Sequence, residues 1–335
     1  MNNLVLSTPR ILTFITTNHC TSACTNCCFQ CKPEKKNRLS IEEMINYINQ
    51  AKEAYPSLSL LVLTGGECFT YGDSLTKLIN YASSKYKLHV RIVTNAYWAH
   101  TIENARKRLK PYVEAGLDEI NFSTGDDHLE YVSFKNIKNA CLASIELGLI
   151  PLVNIETRGD RKFTSKDFIM DSQLGKLVID KKISITNGVW VAFKKENKPE
   201  LNKKPNLSFP HTRCENLFSS ITIDPEHRML ACCGLTAKYI KYLDLGNLKT
   251  ESLKKIFENQ FNDFLKIWIY VEGPHKIIEF LSKYSDLNLK YYDGLHDCQV
   301  CAVIFNNIGC QTILKQHYKE VFSNIILKYN AINNE

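Results

Sequence analysis

The chain has 335 residues, 44% of them hydrophobic and 23% charged, enough for one large globular domain or a large and a small one. Its net charge of +7 is modest, and its lysines are scattered apart from a Lys-rich stretch near 194–204, with no basic stripe interleaved with aromatics, so nucleic-acid binding is not expected. No apolar run reaches membrane-spanning length, and Pro9 and Arg10 interrupt the N-terminus before a signal-peptide core can form, so a cytoplasmic protein is expected, whose thirteen cysteines argue for metal rather than disulfides.

The first strand-like run, Ile11 to Thr17, leads into CTSACTNCCFQC, which places five cysteines within twelve residues (20–31). The polar Lys32-Pro33-Glu34-Lys35-Lys36 that follows cannot be buried, so the cysteines lie on a loop leaving a strand end. Cys20, Cys24 and Cys27 are spaced C-x3-C-x2-C, which can curl three thiolates around one iron-sulfur cube and leave its fourth iron without a protein ligand. Cys24-x2-Cys27 and Cys28-x2-Cys31 are also two zinc-knuckle pairs, and on this loop alone a structural zinc stands equal to iron-sulfur.

From residue 10 onward strand-like and helix-like segments alternate at about thirty-residue spacing, the pattern of repeated units around a parallel sheet. Ser40 and Glu43 form a capping box opening a helix whose Met44, Ile45, Tyr47, Ile48 and Ala51 share a face. A second strand, Leu60–Thr64, runs into Gly65-Gly66-Glu67, and a helix follows over about 73–85. Strands over 88–93, 119–123 and 150–155 end in Thr94-Asn95, in Ser123 with Asp126-Asp127-His128, and in Glu156-Thr157-Arg158, and a sixth covers 183–193. Polar residues thus gather at strand C-termini, the face where parallel barrels build sites. Asp126, Asp127 and His128 are read first as a helix start, where Asp is favoured, and second as substrate-side groups. Residues 194–213 serve as a linker, rich in Lys, Asn and Pro. Beyond them Cys214 precedes a hairpin, Ser220–Ile223 and Met229–Ala231 around an Asp224-Pro225 turn, then Cys232-Cys233-Gly234, a helix from Ser252, and finally Cys298-x2-Cys301.

The C-x3-C-x2-C after the first strand and the GGE after the second, in that order and at that distance, resemble the radical S-adenosylmethionine (radical SAM) superfamily. The resemblance implies a partial (β/α)6 TIM-like barrel over 1–193, open on one side, a 4Fe-4S cluster on Cys20, Cys24 and Cys27, and S-adenosylmethionine chelating its open iron. It places Gly65, Gly66, Glu67, Thr94, Asn95, Ser123 and Arg158 as cofactor-binding residues: the glycines for close backbone approach to the methionyl moiety, Glu67 for its ammonium, Arg158 for its carboxylate, and the rest for ribose or carboxylate. Asn26 departs from the family, where the residue before the third cysteine is often aromatic and packs on adenine. Residues 214–335 resemble the twitch and SPASM auxiliary domains, through Cys214, the hairpin, Cys232-Cys233-Gly234, the Leu245-Gly246-Asn247-Leu248 segment and the CxxC pair. His227 stands where that family usually has Gly, and its full seven-cysteine pattern is absent. A small α+β domain holding one auxiliary 4Fe-4S cluster on Cys214, Cys232, Cys298 and Cys301 is implied, with structural zinc as the alternative and Cys233 able to replace Cys232.

Of the remaining cysteines, Cys141 reads as a small buried hydrophobe, Cys310 as packing, a ligand or a hydrogen-atom donor, and no role is selected for Cys28, Cys31 or Cys68. The resemblance points to a peptide or protein substrate of the ribosomal peptide maturase kind and to an electron donor such as flavodoxin or ferredoxin. Only about ten residues precede the first strand, so leader recognition would fall to the C-terminal domain or to a separate protein. A radical dehydrogenase acting on a sugar or cyclitol is the alternative, and a non-catalytic zinc-bound barrel a more distant one.

Overall fold

A computed structural model describes residues 6–157, 162–193, 212–286, 292 and 294–334. Six parallel strands, β1 (Ile11–Ile15), β2 (Leu60–Thr64), β3 (His89–Thr94), β4 (Glu119–Thr124), β5 (Leu152–Thr157) and β6 (Ser184–Val189), lie in sequence order and form the partial barrel. Each crossover carries helix, as parallel pairing requires. The connections hold α1 (Ile41–Ala54), α2 (Ser74–Asn80), α3 (Ile102–Glu114), α4 (Asp126–Leu129), α5 (Phe134–Glu146), α6 (Ser165–Met170) and α7 (Ser172–Ile179).

Local chemistry sets these elements. Ser40 and Glu43 close the capping box, the Ser40 hydroxyl accepting from the Glu43 N–H at 3.0 Å and the Ser40 N–H donating to the Glu43 carboxylate at 2.8 Å. The α1 face is buried through Met44, Tyr47, Ile48 and Ala51, while Ile45 packs at its margin. In β1, Leu12 to Ile15 are all buried, as befits a strand covered on both faces. The first and sixth strands are shorter than the apolar runs suggest. After Ile15 the backbone leaves the ladder, and Thr17 and His19 make isolated bridges to Arg38 and Lys32 that shape the cysteine loop.

The hairpin does not stand apart from the barrel. Its first strand, β7 (Ser220–Ile223), pairs in parallel with β1, and β8 (Arg228–Leu230) and β9 (Asp244–Asn247) continue antiparallel, giving one nine-stranded sheet in the order β6-β5-β4-β3-β2-β1-β7-β8-β9. His227 takes the left-handed conformation, φ +62°, that the turn demands and that glycine would adopt at less cost. Its Nδ1 hydrogen-bonds the Tyr47 hydroxyl at 2.8 Å, fastening the turn to α1.

Beyond the sheet the described residues form α8 (Leu253–Asn259), α9 (Phe264–Glu272), α10 (Pro274–Leu281), α11 (Asp297–Asn306), α12 (Ile308–His317) and α13 (Lys319–Asn334). Phe218 stacks on Phe261 at 4.7 Å and meets Tyr270 and Tyr329 edge-on, so the helices share a core with the segment entering β7. Among the described residues no helix is long and apolar enough to cross a membrane.

Candidate active site

The loop leaving β1 is laced to the end of β2. The Gly66 N–H donates to Thr17 O at 2.7 Å and the Glu67 N–H to His19 O at 2.9 Å. The glycines serve this contact directly: a Cβ on Gly66 would lie 1.9 Å from His19 O, and one on Gly65, whose φ is +117°, would lie 2.9 Å from Thr17 O. The expectation that their missing side chains make room for the methionyl moiety is therefore refined, because the space a Cβ would fill is taken by the cysteine loop's own backbone.

Cys20, Cys24 and Cys27 line one cavity of about 260 Å³ together with Gly65, Gly66, Thr94, Asn95 and Ser123. N–H groups face two of the sulfurs: Ser22 N stands 3.5 Å and Asn95 Nδ2 3.8 Å from Cys20 Sγ, and Cys31 N stands 3.4 Å from Cys27 Sγ. Hydrogen bonding from Cys31 outweighs burial and holds the Cys27 thiol below the usual thiol range, whereas burial, followed by the Glu67 charge, pushes Cys20 up to about 12. The site thus starts with one sulfur biased toward thiolate.

Glu67 turns away from this cavity. It is fully buried; one oxygen accepts from the Phe69 N–H at 3.0 Å and the Thr94 hydroxyl at 2.8 Å, the other from the Asn95 N–H at 2.9 Å. Burial raises its carboxyl to about 7 against the pull of these three donors. In this arrangement Glu67 braces the end of β3, and Asn95, so placed, donates to Thr21 Oγ1 and Ser22 Oγ at 3.1 Å each. The expected contact with a bound ammonium group would use the acceptor position that these three donors leave on the carboxylate.

The sequence profile described as the radical SAM superfamily matches residues 14–167, the span from β1 through β5 that carries this cavity. The chain contains a radical SAM domain. No curated protein sequence matches the chain significantly. Among solved structures, native anSMEcpe with bound AdoMet and the same protein with bound AdoMet and Cp18Cys peptide give TM-scores of 0.55 and 0.54 at 12% identity, covering 96% of this chain and 99% of theirs. Methylornithine synthase (PylB) gives 0.39 at 16% identity, and the match spans 55% of each chain. The first two establish a shared fold over nearly the whole length.

The radical SAM domain places the other expected residues unevenly. Thr94, Asn95 and Ser123 reach the cavity, and Arg158 lies outside the described residues. Asn26 is buried at 5% exposure; it donates to Asp127 Oδ2 at 2.7 Å and accepts from the Phe193 N–H at 3.2 Å, tying the cysteine loop to α4 and to the exit of β6. Asp126 accepts from the backbone of Lys162 and Phe163 and holds the chain entering α6. His128, read from sequence first as part of a helix start, lines the cavity, and so do Asn154, Trp190, Cys28, Cys31 and Cys233. Trp190 Nε1 is buried with no hydrogen-bond partner among the described residues. Cys68 hydrogen-bonds Thr16 and Thr64 in the core, Cys141 is buried in α5, and Cys310 packs at the start of α12 and is not among the residues that line this cavity.

The four C-terminal thiols make a second, closed group. A Cβ on Gly234 would lie 3.2 Å from Cys298 Sγ and 3.4 Å from Cys232 Sγ. Burial raises Cys301 well above the usual range, and charge on Cys232, Cys214 and Cys298 adds to it; for Cys232 burial again leads, followed by Cys214 and Cys298. Cys28, on the first loop, lies within electrostatic reach of both Cys27 and Cys298. Among the described residues no three His, Cys, Asp or Glu side chains are gathered as tightly as the ligands of one metal ion.

Proposed function

We propose that the protein is a radical SAM enzyme that cleaves S-adenosylmethionine reductively and takes a hydrogen atom from a peptide or protein substrate, with an auxiliary 4Fe-4S cluster on Cys214, Cys232, Cys298 and Cys301. The observation that carries this reading is the single cavity onto which Cys20, Cys24 and Cys27 converge beside Thr94, Asn95 and Ser123. The donor set fits the cofactor: three thiols, two of them faced by N–H groups, suit a cluster, and the orphaned Trp190 Nε1–H offers a donor that a ligand can satisfy. When bound there, the cluster and S-adenosylmethionine supply the 5'-deoxyadenosyl radical that performs the abstraction.

The residues of the chain bind, orient and exclude water. Asn95 holds the Cys20 turn, Glu67 holds Asn95, and Asn26 joins the loop to the far side of the barrel. The cavity, about 260 Å³ before any cofactor is bound, admits a substrate group past its open edge, and the preference for a peptide rests on the sequence resemblance. Electron supply from a flavodoxin or ferredoxin belongs to the same proposal, as does leader recognition by the C-terminal region or a separate protein.

The test is iron and labile sulfide per chain after anaerobic reconstitution, for wild type and for the Cys20→Ala, Cys24→Ala, Cys27→Ala triple variant. About eight irons falling to about four is expected from two four-iron clusters. About four falling to none would remove the auxiliary cluster. A reduced wild type that forms 5'-deoxyadenosine with a small alcohol, and changes the mass of no peptide encoded beside its gene, would overturn the peptide reading.

A further inference from the structure

A second set of buried groups meets the cavity beside the cysteine loop, where Asn26 donates to Asp127. Glu156, at the end of β5, is 4% exposed, and its carboxylate accepts from the Asp127 N–H and sits 2.9 Å from His128 Nδ1. The fold makes room for it with a glycine: a Cβ on Gly125 would lie 1.9 Å from Glu156 Cγ, and Gly125 has φ +131°. The His128 side chain is 12% exposed, lines the cavity, and stands edge-on to Trp190 at 4.9 Å between ring centroids.

A carboxylate can only accept. Its bond to Nδ1 therefore keeps the ring proton on that nitrogen and leaves the Nε2 lone pair of the neutral ring as the acceptor. Nε2 makes no hydrogen bond among the described residues, while Glu156 has two partners and Asn26 and Asp127 are engaged with each other. A helix start alone explains none of this, because α4 needs neither a buried Glu156 nor a histidine facing a cavity.

We infer that His128, oriented by Glu156, accepts a hydrogen bond or proton from an N–H, O–H or S–H of the substrate group that enters this cavity. His128 is then a substrate-contacting acid–base residue and Glu156 a positioning residue that fixes its tautomer. The inference rests on the reading that the cavity receives substrate, and its test needs no identified substrate.

Diethyl pyrocarbonate acylates an imidazole nitrogen that is unprotonated and reachable. Reconstituted holoenzyme is treated anaerobically with and without S-adenosylmethionine, and modification of His128 is followed by peptide mass spectrometry, with cofactor binding measured in the same samples by equilibrium dialysis. His128 is expected to react in both states, and Glu156→Gln, whose amide can donate to Nδ1 and force the other tautomer, is expected to slow it roughly tenfold or more. No reaction in wild type would overturn the inference. So would complete protection by bound S-adenosylmethionine, which would assign His128 to the cofactor, or an unchanged rate in Glu156→Gln. The wild-type arms hold even where that variant does not fold, and failure to modify any peptide would count against the peptide reading alone.

Discussion

The two thiol groups of this protein differ in access and at one sulfur, since burial also holds Cys20 and Cys24 up and Cys27 alone is lowered. Cys20, Cys24 and Cys27 stand on a half-buried loop around a cavity, with N–H groups facing sulfur and one thiol held below its ordinary range. Cys232, Cys298 and Cys301 are packed where burial and mutual charge hold their thiols up. The first arrangement leaves space beside its sulfurs; the second keeps its thiols protonated and packed. Openness is thus prepared by backbone N–H groups and glycines, and closure by desolvation.

The contrast is broken most directly by alkylating the cluster-free protein. At neutral pH Cys27 is expected to react with iodoacetamide more than about a hundredfold faster than Cys232 or Cys301, since the thiolate is the nucleophile. Equal rates, read by mass spectrometry of each cysteine peptide, would remove the distinction. Next in size is Gly66→Ala. Its Cβ would meet a backbone carbonyl rather than a flexible side chain, so a loss of about 2–4 kcal/mol in denaturant unfolding is expected, within the range for overpacking with backbone displacement. A neutral Gly66→Ala would mean that the β2 end does not pin the cysteine loop.

The smallest effect sharpens the open site. Glu67→Gln keeps the shape of the side chain but aims an amide N–H at one of three donors, costing about 1–3 kcal/mol at low pH. The folded carboxyl lies at about 7, above its ordinary 4.5, so the folded state binds the extra proton, and the associated stability is full below 4.5 and is lost as pH rises through 7. In cluster-free protein the wild-type advantage over Glu67→Gln is therefore expected to shrink by roughly 2–3 kcal/mol between pH 4.5 and 8. A gap that stays constant with pH would mean that Glu67 is ionised throughout.

Much of this arrangement can be read from the residues. Alternating apolar segments with polar C-terminal ends give the six parallel strands, and the spacing of Cys20, Cys24 and Cys27 with Gly65-Gly66-Glu67 marks the loop and the strand end that meet at the cavity. What escapes is chemistry that exists only across the barrel. Nothing local to Glu156 says that it passes beneath Gly125 to reach His128, though Gly125 between two strand-end polar residues is a signal in retrospect. Glu67 reads as a ligand because it follows two glycines; that it also braces the end of β3 through the donors of Phe69, Thr94 and Asn95 is not legible there. The pairing of β7 with β1 is likewise invisible, because a hairpin signal carries no information about which edge it joins.

That pairing has a consequence during synthesis. Ile11 to Phe14 wait roughly two hundred residues for Ser220 to Ile223, on the order of 10–40 s at the pace of translation. Until then the strand that carries the cysteine loop is an apolar edge on the emerging chain, open to pairing with a neighbour. A ribosome that stalls before the hairpin therefore leaves a barrel with its central ladder unfilled, and aggregation of nascent chains is the hazard built into joining both thiol groups through one sheet.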